Sequence, residues 1–99
     1  MITEVSNLSL TLGQVVYSKA GRDAGKGFII VGILDDKNVL ISDGDLRTIE
    51  KPKKKKIKHL DLTKDINITL GHKLENKLKV SNSDMRKALA DLKNNTKGL

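Results

Sequence analysis

From position 13 onward the apolar residues come in short runs separated by glycine, aspartate and asparagine, a rhythm that suits strands and turns better than helices. Residues 13–18 (GQVVYS) predict a first strand and 28–34 (FIIVGIL) a second. The second run is β-branched and too short for a buried helix, and Gly32 within it marks a bulge. Turn residues 35–38 (DDKN) lead to a third strand over 39–42 (VLIS). Asp43-Gly44, a dipeptide of tight hairpin turns, leads to a fourth over 46–49 (LRTI). Pro52 cannot donate to a ladder and biases Lys51 toward extended backbone, so the fourth strand is expected to stop there and the lysines after it to form a crossing loop. Alternation resumes over 57–62 (IKHLDL), a fifth strand. Five short strands with close turns predict a mainly β fold, a small curled sheet closed into a barrel with the apolar residues inside.

The flanks read differently. Leu8, Leu10 and Leu12 alternate, which suits an arm or an edge strand over residues 1–12. Ile66, Ile68 and Leu70 also alternate, within a segment over 63–80 that reads as an extended connection, with Leu74 and Leu78 forming one turn before the next element. Ser81-Asn82-Ser83-Asp84 offers a capping box, and Met85, Ala88, Leu89 and Leu92 follow at helical spacing. The spacing predicts one amphipathic helix over 83–93, its apolar stripe a packing face for the barrel, and a frayed tail from 94. The domain organisation expected is therefore arm 1–12, barrel 13–62, connection 63–80, and helix with tail 81–99.

Composition narrows the class. Ninety-nine residues suit one domain with a modest core, and 37% hydrophobic residues, clustered as they are, suffice to fold it. The longest apolar stretch, 28–34, is far too short to span a bilayer, and no basic segment followed by an apolar one opens the chain, so neither membrane insertion nor export is expected. The absence of cysteine excludes disulfides and thiolate metal sites and is compatible with a cytoplasmic location. Net charge is +7, but its distribution matters more: residues 1–50 carry five Lys/Arg against seven Asp/Glu, and residues 51–99 carry fourteen against five. Six of these cations crowd into residues 51–58 (KPKKKKIK), a local field that attracts a polyanion over a Debye length of about 8 Å at physiological salt.

The stretch 19–27 (KAGRDAGKG) places three glycines among Lys19, Arg22 and Lys26, a pattern that invites phosphate. It is not a Walker A loop, because Gly21 and Gly25 are too close and no hydroxyl follows Lys26 to hold magnesium. It also joins strand to strand, whereas nucleotide loops open a helix whose N-terminal N–H groups converge on the phosphates. Either the glycines serve turn geometry alone, or they let the backbone approach a phosphate surface while the three cations reach toward it. Residues 13–31, read as GQVV and then GRDAGKGFIIV, resemble the KOW motif of ribosomal proteins and transcription elongation factors. The continuation through 33–44 (ILDDKNVLISDG) is similar to archaeal and eukaryotic large-subunit KOW proteins, and Leu46-Arg47 with 52–60 (PKKKKIKHL) to small KOW RNA-binding proteins of Gram-positive bacteria. This resemblance covers residues 13–62 and implies an SH3-like barrel that binds RNA, with Gly25 as the motif's characteristic glycine and Lys26 the cation after it. It implies no role for residues 63–99.

The mode of binding is restricted by the residues themselves. Tyr17 and Phe28 are the only aromatics, and both read as core, so base stacking is expected to be minor and phosphate position dominant. Lys51, Lys53, Lys54, Lys55, Lys56 and Lys58 then act as a mobile arm, beside Lys19, Gly21, Arg22, Gly25, Lys26 and Arg47, while His59 either bonds a phosphate or 2′-hydroxyl or has a structural partner. His59 and His72 lack acidic neighbours at ligand spacing, so no metal and no cofactor is expected, and no nucleophile stands in pattern with a base, so no enzyme. The expected partners are RNA, ribosomal RNA first, and ribosomal proteins, with no membrane and no small-molecule substrate. Alternatives are a transcription-associated KOW factor and an SH3-like protein-interaction module, the latter needing more surface aromatics than two.

Overall fold

The computed structural model describes residues 10–97, the last five by their backbone; the arm expected over 1–12 lies largely outside these residues. Five strands, β1 Gln14–Ser18, β2 Gly27–Ile33, β3 Asn38–Ser42, β4 Lys53–Lys56 and β5 Leu60–Ile66, form one antiparallel sheet in the order β4-β3-β2-β1-β5. A 3₁₀ turn, Ile57–His59, carries the chain from one sheet edge to the other. Register shifts between Gln14 and Val16 and between Ile30 and Gly32 sharpen the twist that curls the sheet into an SH3-like barrel. The bulge expected at Gly32 is thus present.

The sheet has a core on each face. Val16, Phe28, Ile30, Val39, Ile41 and Leu60 fill the barrel, whereas Val15 and Ile29 point outward beneath Leu70, Val80 and Met85. That is why 28–31 is an uninterrupted apolar run: alternate residues serve opposite cores. The outer cover consists of two helices, α1 Ile68–Glu75 and α2 Asn82–Lys97. Burying Met85 completely contributes about 1.5–3 kcal/mol to holding α2 there. The capping box expected at its start is formed, with Ser81 Oγ accepting the Asp84 N–H and Asp84 Oδ2 accepting the Ser81 N–H, both at 3.1 Å. The predicted packing stripe of Met85, Ala88, Leu89 and Leu92 faces the barrel.

Three expectations need correction. Residues 46–49 are a loop, because Asp43 Oδ1 accepts the N–H groups of Asp45 and Arg47, each at 2.9 Å, and Ser42 Oγ donates to Arg47 O at 2.7 Å, folding the segment on itself. The fourth strand is the lysine run, paired with β3 from Asn38↔Lys56 to Ile41↔Lys53, so it is neither a crossing loop nor a mobile arm. The open edge of β3 needs a partner more than Pro52 forbids one: proline is tolerated just ahead of an edge strand, and lysines are favoured on such edges. The stretch 63–80 is not an extended connection, since Asn67 accepts the Leu70 N–H at 2.9 Å and caps α1, ending β5 at Ile66.

Both helices are fastened to the barrel by backbone contact. A Cβ on Gly13 would stand 2.5 Å from Asn67 O, and one on Gly71 2.5 Å from Leu12 O, so α1 crosses the entry to β1 where neither chain has a side chain. At α2, Asn82 Oδ1 accepts the Ile49 N–H at 2.7 Å, Asn82 Nδ2 donates to Glu50 at 2.8 Å, and Arg86 Nη1 donates to Gly44 O at 2.6 Å. Among the described residues no helix is long and apolar enough to cross a membrane.

Candidate nucleic-acid interface

The glycine-rich loop joins β1 to β2 and closes on its own backbone. Gly25 N–H donates to Ser18 O at 2.8 Å, Lys26 N–H to Asp23 O at 2.9 Å, and Ser18 N–H to Lys26 O at 3.0 Å. Gly25 holds φ +85°, a conformation costly to other residues, and no atom lies within 4 Å of where its side chain would be. Its glycine therefore serves the turn and also leaves that stretch of backbone open to a close-approaching surface. Lys19, Arg22 and Lys26 are exposed around it.

Asp23, by contrast, is 5% exposed and faces inward. Its Oδ2 lies 3.3 Å from Arg47 Nη2 and 3.7 Å from Lys53 Nζ, which ties the glycine loop to the 43–50 loop and to β4. Burial pushes its carboxyl up, but the hydrogen bond from Arg47 and the charges of Arg47, Lys53 and Lys26 outweigh that and hold it below its ordinary value. Lys55 Nζ makes a second tie, donating to Ala20 O at 3.4 Å. The pleat sends Lys53 and Lys55 toward the glycine loop and leaves Lys54 and Lys56 exposed on the other face. Lys51 and Lys58, at either end of β4, are exposed as well. Lys19 lies 3.8 Å from Asp61, a surface pair of small energetic consequence.

No family model matches the chain. It is 40% identical over 72 residues to the large ribosomal subunit protein eL14 of Desulfurococcus amylolyticus, covering 72% of this chain and 75% of that one. The chain belongs to the eL14 family of KOW-type ribosomal proteins. It is also 43% identical over 51 residues to "Putative ribosome-binding protein YbzG" of Bacillus subtilis, covering 52% of this chain and 69% of that one.

In this eL14-family chain the residues singled out from the sequence fall into distinct sets. Lys19, Gly21, Arg22, Gly25 and Lys26 share the glycine loop, and Lys54 and Lys56 stand free on a rigid strand between Lys51 and Lys58. Arg47 and Lys53 are occupied by Asp23, and Lys55 by a carbonyl. His59 is half-buried in the 3₁₀ turn, and its carbonyl accepts the Lys19 N–H at 2.9 Å. Phe28 is core as expected, but Tyr17 is 37% exposed, a correction: β1 alternates there, and Tyr17 pairs with Gly27, which has no side chain to cover it. Sequence reasoning passed over Asp23, whose signal was a lone acid among three cations. It also passed over Arg86, which nothing short of the α2 contact with Gly44 brings to the loop. Among the described residues no cluster of His, Asp or Glu is arranged to hold a metal ion.

Proposed function

We propose that the chain is a non-catalytic RNA-binding protein of the ribosome, acting in the cytoplasm and gripping the phosphate backbone of structured ribosomal RNA with its glycine loop and the edge strand β4. The observation that carries this reading is the tie between Lys55 Nζ and Ala20 O, which joins the two cationic segments into one surface. The names of the relatives support the ribosome as its setting: one is a large-subunit protein and the other is named for ribosome binding. Phosphate contact suits a surface built from point charges on a fixed backbone, since such contacts set position and register without reading bases.

Arg22, Lys26, Lys51, Lys54, Lys56 and Lys58 are exposed and available. If these six engage phosphates, log K against log salt falls with a slope of roughly −4 to −5. Binding of purified protein to large-subunit ribosomal RNA, measured across a salt series, tests this, and a slope shallower than about −2 overturns the electrostatic reading. Sedimentation of tagged protein with large subunits, before and after a high-salt wash and RNase treatment, tests the setting. Loss from the subunit in high salt is the expected result, and a protein that never leaves the top of the gradient removes the ribosome from the proposal.

A further inference from the structure

Beside the glycine loop runs a groove of about 510 Å³, walled by Tyr17 and Gly27 on the sheet, Leu46 on the 43–50 loop and Leu89 on α2, with Lys26 and Arg86 at its rim. This volume is in the range of small-ligand sites. Two of its apolar walls are open to solvent where a packed core would hide them, Tyr17 at 37% and Leu46 at 67% exposure. The ring of Tyr17 lies across Gly27: a Cβ there would meet the ring at 3.2 Å and Leu89 at 3.7 Å, so the missing side chain gives the ring its seat. The groove thus offers an aromatic surface, apolar sides and a cationic rim, within one residue of the loop's open backbone.

We infer that this groove seats a single unstacked nucleobase of the bound RNA, stacked on Tyr17 and flanked by Leu46 and Leu89, with its phosphate held by Lys26 and Arg86. The inference rests on the RNA-binding reading above and adds to it a contact that is aromatic in character. Charge complementarity decides the occupant. An apolar peptide side chain would satisfy Tyr17 and Leu46 but leave the two rim cations without a role, whereas a nucleotide uses both kinds of wall. The carboxylates are placed consistently: Asp43 is engaged by the N–H groups of Asp45 and Arg47, and Asp45 stands at the rim, which directs a phosphate to the Lys26 side. Because stacking strength rather than an edge pattern supplies the contact, purines are held more tightly than pyrimidines.

The test is an amide-shift titration of the labelled full chain with AMP, GMP, CMP and UMP at millimolar concentration, and with ribose 5-phosphate as the control without a base. The expected result is shifts at Tyr17, Gly27, Leu46 and Leu89 with the mononucleotides, larger for AMP and GMP, and with ribose 5-phosphate shifts near Lys26 alone. Tyr17→Phe keeps AMP binding, while Tyr17→Ala weakens it on the order of tenfold, as loss of one base–aromatic stack does. Leu46→Ala, at an exposed position where the fold is not at stake, weakens it less. Two results overturn the inference and spare the phosphate reading. In one, ribose 5-phosphate reproduces every mononucleotide shift; in the other, the groove stays silent to all four while the steep salt dependence on ribosomal RNA persists.

Discussion

At the scale of single residues, Asp23 shows how one carboxylate changes the meaning of its neighbours. It lies in sequence among Lys19, Arg22 and Lys26, yet its carboxylate reaches Arg47 and Lys53 from other segments. Its folded pKa is depressed below the unfolded value of 3.8, so its contribution is complete above that value and is lost as pH falls through the folded one. Asp23→Asn is therefore expected to be less stable at neutral pH, by about 1–2 kcal/mol given that Arg47 is partly solvated. The two proteins should converge in acid. Melting curves at neutral pH and well below pH 3.8 check this, with Asp35, Glu50 and Asp84, all held low by hydrogen bonds, as the common background. A gap unchanged in acid would mean that the pair does not contribute through charge. Lys77 offers a second residue-scale case. It sits at φ 57° where α1 ends, with the Leu78 N–H on Lys73 O at 2.8 Å and the Lys77 N–H on Leu74 O at 3.2 Å, the closing geometry in which glycine is favoured. Lys77→Gly relieves left-handed strain and gives back part of the gain as unfolded-state entropy, for a net stabilisation of about 0.5–1 kcal/mol. Urea midpoints should rise for Lys77→Gly and not for Lys77→Ala.

The elements show where pattern was sufficient and where a partner was needed. The runs 14–18, 28–33 and 39–42 were legible because β-branched residues between turn signals leave few alternatives, and the α2 cap was legible because Ser81 and Asp84 are spaced to bond one another. The lysine strand was not legible, since Lys53–Lys56 has no apolar alternation and becomes a strand only because β3 presents an unpaired edge. The 46–49 run was misleading for the converse reason: Leu46 and Ile49 look like a strand, but the side chain of Asp43 captures the backbone beyond it. Helix α1 was hidden because Ile66, Ile68 and Leu70 alternate across Asn67, whose capping role depends on the turn that follows. Of the candidate site, the glycine loop was legible and the exposure of Tyr17 was not, since a lone aromatic in an apolar strand gives no sign of which face it takes. The attachment of α2 yields a prediction at this scale. A Cβ on Gly44, at φ +76°, would stand 2.3 Å from Asn82 O and 2.9 Å from Met85 Cβ, whereas one on Gly25 meets nothing. Gly25→Ala should cost only the left-handed strain of about 1–2 kcal/mol, and Gly44→Ala about 3 kcal/mol or more because helix packing is added to it. Hydrogen exchange should show α2 opening in Gly44→Ala and remaining protected in Gly25→Ala.

Over the whole molecule, a net charge of +7 says less than the way the fold divides it. Asp23 consumes Arg47 and Lys53 to fasten two loops to the edge strand, and the same pleat that turns Lys53 inward turns Lys54 and Lys56 out. Lysines adjacent in sequence therefore have different work, and this separation can be measured. Replacing Lys54 and Lys56 by Gln should leave the melting temperature within about 2 °C, since exposed positions away from partners change stability little. It should reduce the salt slope for ribosomal RNA by about 0.7–0.9 per lysine removed. Replacing Arg47 and Lys53 by Gln should do the opposite: it frees Asp23 as a buried, unpaired carboxylate, which lowers stability while changing the slope by less than one unit. Both pairs remove the same formal charge, so a protein that acted as a uniform cationic surface would lose equal slope from each. Equal losses would place the RNA contact in net charge; the unequal losses expected here would place it on the outward face of β4.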